Sequence, residues 1–201
     1  MSTRLFLRAV DAAWGQPFIG KLPLRVIGAG ALLLQTEYDR GTKDSDILES
    51  SAIDATTQRR LVDLTKRGSP LHRRWLTFIE FVPRSLPLLP QAPRWREPSD
   101  LNEHLRHFRV EVLDVIDVVV SKLGRFHDDD QNDIVAMIGM GLVPHAELVT
   151  RFRSAVDVSL GDASAERLPS SVRNLHRIER DEYLVDETDI ELPDWLAGRF
   201  G

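Results

Sequence analysis

The segment from Arg25 to Glu49, RVIGAGALLLQTEYDRGTKDSDILE, constrains the fold of this chain more than any other part of its sequence. A short apolar run is followed by a glycine-containing turn, an Ala- and Leu-rich stretch, a polar loop and a second apolar run. Glycine allows a sharp change of backbone direction, and Ala and Leu favour helix. The segment therefore predicts a strand, a turn, a helix and a second strand that begins with Asp44 and Asp46.

Gly28 and Gly30 lie at the predicted junction between the first strand and the helix. A backbone without Cβ atoms can approach a phosphate closely, and the free N–H groups of a helix N-terminus point toward such an anion. Gly28, Ala29 and Gly30 are therefore candidate phosphate-binding residues. The alternative is that the glycines only permit close packing of the helix on the strand.

Asp44 and Asp46 are separated by one residue. On a strand, such residues point to the same face and lie about 7 Å apart along the chain. Two carboxylates at this spacing repel each other unless a cation lies between them, and Mg²⁺ prefers oxygen ligands. We expect a site for Mg²⁺, with two ions and with Mn²⁺ as a substitute, at Asp44 and Asp46. The alternative is a turn in which the Asp side chains act as caps.

The same residues resemble a known superfamily. The blocks IGAGALLL and RGTKDSDIL resemble the signature of the nucleotidyltransferases with a DNA polymerase β-like fold. The most similar branch comprises the abortive-infection (AbiEii-like) toxin nucleotidyltransferases and uncharacterised bacterial relatives. Its R-x-T-x-D-x-D-hydrophobic block is matched by Arg40, Thr42, Asp44, Asp46 and Ile47. The resemblance implies that Arg40 and Thr42 contribute to nucleotide binding.

A second block, SKLGRFHDDDQNDI, resembles the K-L-x-R and following Asp residues of that branch. Lys122, Arg125, Asp130 and Asp133 match it. By analogy Lys122 would contact the nucleotide phosphates, and Arg125 would assist. The alternative for Arg125 and Asp133 is a structural ion pair in the C-terminal half.

The superfamily often has a third carboxylate on a neighbouring strand, between apolar residues. Glu80, in Phe78-Ile79-Glu80-Phe81, fits this setting and is the candidate that would prepare the acceptor hydroxyl. Glu111, between Val110 and Val112, is the rival. A third possibility is that Glu80 lies on an edge strand and merely faces water.

The pattern along the whole chain predicts an α+β fold, with a nucleotidyltransferase-like mixed sheet flanked by helices and a helical C-terminal half. We expect the α/β core over residues 1–113 and the helical region, with an acidic tail, over 114–201. The first helix is expected over Arg4–Trp14, with Leu5, Ala9, Val10 and Ala13 along one face. The predicted strands are Leu22–Ile27, Asp44–Leu48, Trp75–Val82 and Phe108–Leu113, and the proline-rich residues 83–98 are expected to form an extended connection.

Charge is distributed unevenly along the chain. Residues 1–110 contain 17 Lys and Arg against 12 Asp and Glu, whereas residues 111–201 contain 9 against 19. A basic half suits a polyanionic ligand such as a nucleotide or RNA, although two solvated faces of opposite sign would give the same counts. The basic residues that would suit an RNA backbone are Arg59, Arg60, Lys66, Arg67, Arg73, Arg74, Arg94 and Arg96.

The resemblance implies transfer of a nucleoside monophosphate from an NTP to a hydroxyl acceptor. The implied acceptor is a tRNA, another RNA or a protein, and a toxin role would imply a cognate antitoxin. The alternative is a degenerate nucleotidyltransferase fold that binds or regulates without turnover, because Ala29 stands where the family turn usually has Gly or Ser.

Composition restricts the environment of the protein. The chain contains no Cys, which excludes disulfides and thiolate-bound metals. Asp11 interrupts the N-terminal apolar residues where a signal peptide would need a continuous run, and Asp117 interrupts the longest apolar run. We therefore expect a cytoplasmic protein with no membrane partner.

Overall fold

The computed structural model describes residues 2–15, 20–42 and 44–197. The chain divides into two compact units, of which the first comprises Met1–Arg84 and Trp95–Asp114 and the second comprises Ser85–Arg94 and Val115–Gly201. The chain thus passes into the helical unit one residue after the boundary expected from the sequence. Residues 85–94 of the proline-rich segment also group with the helical unit, although the sequence assigned them to the α/β core.

The first unit alternates helices and strands. Its elements are α1 (Thr3–Trp14), β1 (Leu22–Val26), α2 (Gly28–Gln35), β2 (Asp44–Leu48), α3 (Ala55–Thr65), α4 (Pro70–Trp75), β3 (Phe78–Val82), β4 (Trp95–Arg96), α5 (Ser99–Asn102) and β5 (Phe108–Leu113).

The described strands form one mixed five-stranded sheet in the order β3-β2-β1-β5-β4. The parallel pairs are β1 with β5 and β2 with β3, and the antiparallel pairs are β1 with β2 and β4 with β5. The apolar strand β1 is central, as its composition predicts. Helices flank the sheet, so the predicted α+β class is confirmed.

The two faces of this sheet differ in chemistry because side chains alternate along each strand. One face carries Leu24, Val26, Ile47 and Ile79, each at most 2% exposed, and α2 and α3 pack on the sheet. Residues paired across neighbouring strands share a face. Since Asp46 pairs with Glu80 and Arg25 with Glu111, the ionisable residues occupy the opposite face; they are Arg25, Asp44, Asp46, Glu80 and Glu111.

The predicted face of α1 is wrong for Leu5 and Ala13, whereas Val10 is buried as expected. Leu5 is 48% exposed and Ala13 is also exposed, whereas Phe6, Val10 and Trp14 are at most 2% exposed. The aromatic residues at i and i+8 set the orientation of the helix because they have more apolar surface to bury than Leu5 and Ala13.

The predicted start of the third strand at Trp75 is also wrong, because Trp75 ends helix α4. The side chain of Ser69 caps this helix by accepting a hydrogen bond from the backbone N–H of His72, and Pro70 occupies its first turn. Leu76 then adopts the left-handed conformation, with φ of 51°, and the strand begins at Phe78. Local capping therefore overrides the β propensity of Trp75.

The second unit is helical. Its elements are α6 (Val115–Leu123), α7 (Asp128–Gly139), α8 (His145–Ser159), a 3₁₀ helix (Ala163–Arg167), α9 (Leu168–Ile178), a π-helical turn (Glu179–Tyr183) and α10 (Asp194–Ala197). Among the described residues, no helix of either unit has the length and apolar content needed to cross a membrane.

Asp11 connects α1 to the start of β5. Its carboxylate is 3% exposed and accepts hydrogen bonds from the backbone N–H groups of Arg106, His107 and Phe108, at 2.9, 2.8 and 3.1 Å. Trp14, one turn later on α1, packs edge-on against Phe108 with 5.3 Å between ring centroids. This carboxylate therefore fixes the point at which β5 enters the sheet.

Replacing Asp11 by Ala should lower the free energy of unfolding by about 3 kcal/mol, because three backbone N–H groups lose their acceptor. Urea denaturation of Asp11→Ala and wild type measures this difference. The exposed Asp63 on α3 provides the control, and Asp63→Ala should change the free energy by less than about 0.5 kcal/mol. Equal stability of Asp11→Ala and wild type would contradict this role.

Candidate metal and nucleotide site

Three carboxylates converge on the polar face of the sheet. Asp44 and Asp46 lie on β2, and the β2–β3 register places Glu80 directly beside Asp46. One carboxylate oxygen from each of these residues lies within 4.8 Å of the other two. Asp44 and Asp46 are half-buried and Glu80 is exposed. Together the three carboxylates offer the oxygen ligands that a hard divalent cation prefers.

Glu111, the rival third carboxylate, has other partners. It lies on β5, two strands away from β2, and is 8% exposed. Its two carboxylate oxygens accept hydrogen bonds from the guanidinium groups of Arg25 and Arg109, at 2.9 and 2.8 Å. Glu111 therefore belongs to an ion-pair network, and the third acid beside Asp44 and Asp46 is Glu80.

Thr42 supports the first acid of the pair. Its hydroxyl lies 3.1 Å from both the Oδ1 atom and the carbonyl oxygen of Asp44. A hydroxyl that donates to a carboxylate oxygen restricts the rotation of that carboxylate. Arg40 is half-buried in the same loop, where its guanidinium donates to the carbonyl oxygen of Gly41 at 3.2 Å. Arg40 and Thr42 of the matched block thus lie in the loop that leads directly into Asp44 and Asp46.

Gly28 is required by the geometry of the second acid. Its φ angle is 62°, and a Cβ atom at this position would lie 2.9 Å from Oδ2 of Asp46. The preceding residue, Ile27, donates its backbone N–H to the carbonyl oxygen of Asp46 at 2.9 Å. Helix α2 begins at Gly28, so its N-terminal N–H groups lie beside the carboxylates. The site therefore needs glycine here for both conformation and space.

Gly30 is needed for a different reason, which is the close packing of α2 on β1. A Cβ atom there would lie 3.2 Å from Cγ1 of Val26, on the strand beneath the helix. The packing alternative considered for the glycines thus applies to Gly30, whereas Gly28 faces the acids. Ala29 between them is half-buried.

Replacing Gly28 by Ala should lower the free energy of unfolding by about 1–2 kcal/mol, because the left-handed conformation strains Ala. It should also abolish stabilisation by Mg²⁺ or Mn²⁺, because the new methyl group displaces the Asp46 carboxylate. Thermal unfolding with and without each chloride salt measures both effects. Gly139→Ala is the control, since no atom lies within 4 Å of its added Cβ. An unchanged metal response in Gly28→Ala would contradict this assignment.

Lys122 and Arg125 lie in the helical unit. The Lys122 side chain is 2% exposed, and its ammonium contacts Asp130 at 2.7 Å and Asp133 at 2.8 Å. Arg125 also donates to Asp130, at 3.0 Å. Burial favours a raised pKa for Asp130, but the Lys122 ammonium and the Arg125 guanidinium outweigh it and hold that pKa below its usual range. This cluster joins α6 to α7.

Replacing Lys122 by Met should lower the free energy of unfolding by about 3–5 kcal/mol, because two buried carboxylates lose their cation. The more exposed Arg125 gives the comparison, and Arg125→Met should cost about 1 kcal/mol or less. The triple variant Lys122→Met/Asp130→Asn/Asp133→Asn should recover part of the loss.

Lowering the pH should reduce the difference in the free energy of unfolding between wild type and Lys122→Met. Asp130 has a lowered pKa in the folded state, so its contribution is present above the ordinary pKa of Asp and is lost as the pH falls through the folded value. Denaturation at neutral and acid pH measures this. Equal stability of Lys122→Met and wild type at neutral pH would contradict the structural role of the cluster.

Comparison of the sequence with models of known families identifies its family. Residues 17–180 match the family described as nucleotidyltransferase of unknown function (DUF6036). The chain belongs to this family. Comparison with curated proteins gave no significant match, and neither did comparison with solved structures.

Membership of this nucleotidyltransferase family confirms the superfamily predicted from the sequence. The assignment to the abortive-infection branch stays a prediction.

The structure also adds residues that sequence reasoning did not place at the site. Phe78 pairs with Asp44 across β2 and β3, and Arg67 lies over the Phe78 ring at 5.7 Å from its centroid. The alternation of Phe78, Glu80 and Val82 along β3 could have identified Phe78 as a residue on the same face as Glu80.

Proposed function

We propose that this nucleotidyltransferase transfers a nucleoside monophosphate from an NTP to a hydroxyl acceptor, in a reaction that depends on Mg²⁺. The observation that carries the proposal is the convergence of Asp44, Asp46 and Glu80 beside the N-terminus of α2. In a nucleotidyltransferase family, this is the part of the first unit that offers both a cation site and anion-binding N–H groups.

Asp44 and Asp46 would hold the cation, with Mn²⁺ as a substitute for Mg²⁺. A bound divalent cation would supply charge neutralisation for the triphosphate and the leaving pyrophosphate. The half-buried position of the two Asp carboxylates favours an ion that retains water and phosphate oxygens as its other ligands. Thr42 would keep the Asp44 carboxylate oriented through its hydroxyl.

The backbone of Gly28, Ala29 and Gly30 would bind the triphosphate through the free N–H groups at the start of α2. Arg40 would add a positive charge from the loop before β2. The resemblance implies a nucleotide contact for Lys122 and Arg125, but we assign them none. Both cations already contact the buried carboxylate of Asp130.

Glu80 would act as the general base. It is the exposed member of the three acids and so is accessible to an incoming hydroxyl group. Its carboxylate would accept the proton of the acceptor hydroxyl as the acceptor oxygen bonds to the α-phosphorus. The bond from the α-phosphorus to the oxygen bridging to the β-phosphate breaks, and pyrophosphate leaves with that oxygen.

The finer assignment follows from the resemblance of Arg40–Ile47 to the toxin branch. We propose a growth-inhibiting bacterial protein that a cognate antitoxin neutralises. Induced expression of the wild type should arrest growth, and Asp44→Asn/Asp46→Asn should not. Equal arrest by both proteins would exclude a toxin activity that uses this site.

Transfer from α-³²P-labelled NTPs to cellular RNA or protein should fall more than about 100-fold in Asp44→Asn/Asp46→Asn, because the cation loses its protein ligands. Each of the four NTPs is incubated with separate RNA and protein fractions in the presence of MgCl₂. Asp128→Asn/Asp129→Asn is the matched control, since it removes two neighbouring exposed carboxylates from the first turn of α7 and should transfer normally.

A binding protein without turnover gives a different pattern. It would show Mg²⁺-dependent thermal stabilisation by an NTP that disappears in Asp44→Asn/Asp46→Asn, yet no labelled product with any acceptor. Stabilisation that survives the double substitution would instead exclude the metal assignment itself.

A further inference from the structure

The position of Glu80 indicates the side of the sheet from which an acceptor would approach. The phosphate-binding start of α2 follows β1, on one side of β2, whereas Glu80 lies on β3, on the other side. Strand β3 is an edge strand of the sheet. If the donor nucleotide binds at Gly28, the acceptor that meets Glu80 approaches across the β3 edge. This step rests on the proposed function.

Arginine side chains, with His72 among them, border this edge. The turn after α3 and helix α4 form a surface that we call the β3-edge basic surface, and it consists of Arg67, His72, Arg73 and Arg74. Residues 64–79 contain no Asp or Glu. The three Arg side chains are exposed, and among the described residues none of them forms an ion pair with a carboxylate.

The β3-edge basic surface adjoins the acids. The Arg67 guanidinium lies 5.7 Å from the centroid of Phe78, and the His72 ring lies 6.5 Å from the same ring. Phe78 pairs with Asp44 and shares a strand face with Glu80. A guanidinium held against an aromatic ring is pre-ordered and still presents N–H groups at its edge, which is the geometry that binds phosphate oxygens.

Three of the other basic residues that suit a polyanion by sequence have structural partners. Arg60 stacks on Trp14 and donates to its carbonyl oxygen at 2.7 Å. Arg94 pairs with Glu147, and Arg96 pairs with Asp114 at 2.7 Å. The concentration of cations at the β3 edge therefore stands out on a chain whose net charge is −5.

We propose that the acceptor is an RNA strand whose backbone phosphates bind the β3-edge basic surface and whose ribose hydroxyl reaches Glu80. Several exposed cations along one edge match the regular charge of a nucleic-acid backbone. Transfer to a Ser, Thr or Tyr hydroxyl of a protein does not require such a row of cations. The cations thus select the acceptor, and the acids perform the transfer.

Binding is measured by fluorescence anisotropy with a short fluorescein-labelled single-stranded RNA at several salt concentrations. Arg73→Glu/Arg74→Glu should weaken binding at least about tenfold and lower the slope of log K against log salt by about 2. Lys21→Glu/Arg106→Glu is the matched control. It makes the same charge change before β1 and β5, at the opposite end of these strands from Gly28, and should bind as the wild type does.

Arg73→Gln/Arg74→Gln provides a second variant that adds no negative charge, and thermal unfolding verifies that each variant is folded. Both variants should keep the Mg²⁺-dependent thermal shift with NTPs, because the donor side is unchanged. Transfer to RNA should fall in proportion to the loss of binding. Label in protein with none in RNA, or RNA binding equal to wild type in both folded variants, would overturn the proposal.

Failure of this inference differs from failure of the proposed function. Asp44→Asn/Asp46→Asn should bind the RNA at least as tightly as the wild type, because it removes negative charge near the phosphates. If the wild type binds RNA through Arg73 and Arg74 but transfers no label, the transferase function fails and the docking surface stands. If label enters protein, the transferase stands and the RNA acceptor is wrong.

Discussion

The close approach of three carboxylates on two neighbouring strands is the constraint that the packing of the first unit has to support. One carboxylate oxygen of each residue lies within 4.8 Å of the other two, a spacing at which like charges repel unless a cation lies between them. The parallel β2–β3 ladder holds the acids together, and the buried Ile47 and Ile79 anchor that ladder on the other face. The Thr65 hydroxyl accepts the backbone N–H of Ile79 and ties β3 to α3. Folding thus creates an unfavourable charge cluster, which a bound cation would relieve.

Charge on the polar face of the sheet differs from strand to strand. The acids occupy β2 and β3, and the Glu111 carboxylate on β5 is neutralised between Arg25 and Arg109. Arg25 also lies over the Trp95 ring, 5.1 Å from its centroid, which fixes the edge strand β4 against this network. The arrangement places the carboxylates of Asp44, Asp46 and Glu80 beside the N–H groups at the start of α2. A metal and a triphosphate would therefore be attracted to the same few residues.

The helical unit shows how a sequence signature can reflect folding. The block from Lys122 to Asp133 resembles a family motif, and in the structure Lys122 and Arg125 both contact Asp130. The ammonium of Lys122 is nevertheless enclosed by Asp130 and Asp133, with 2% of the side chain exposed. A buried ion pair of this kind fixes the α6–α7 connection, and removal of its cation would leave two carboxylates buried without it. The charged residues that match the motif thus have a structural role in this unit.

The sequence by itself determined the local elements and the chemistry of the site. It predicted β2 and β5 with their observed bounds and placed Asp44 and Asp46 on one strand face, because capping, propensity and alternation act over a few residues. The tertiary structure decided what depends on distant residues. The β2–β3 register places Glu80, and not Glu111, beside Asp46. Burial of Phe6 and Trp14 determines which face of α1 packs against the core. Lys122 is buried in an ion pair, whereas the cations at the β3 edge stay exposed. Such choices depend on strand pairing and packing between segments far apart in the chain, and no local pattern records them.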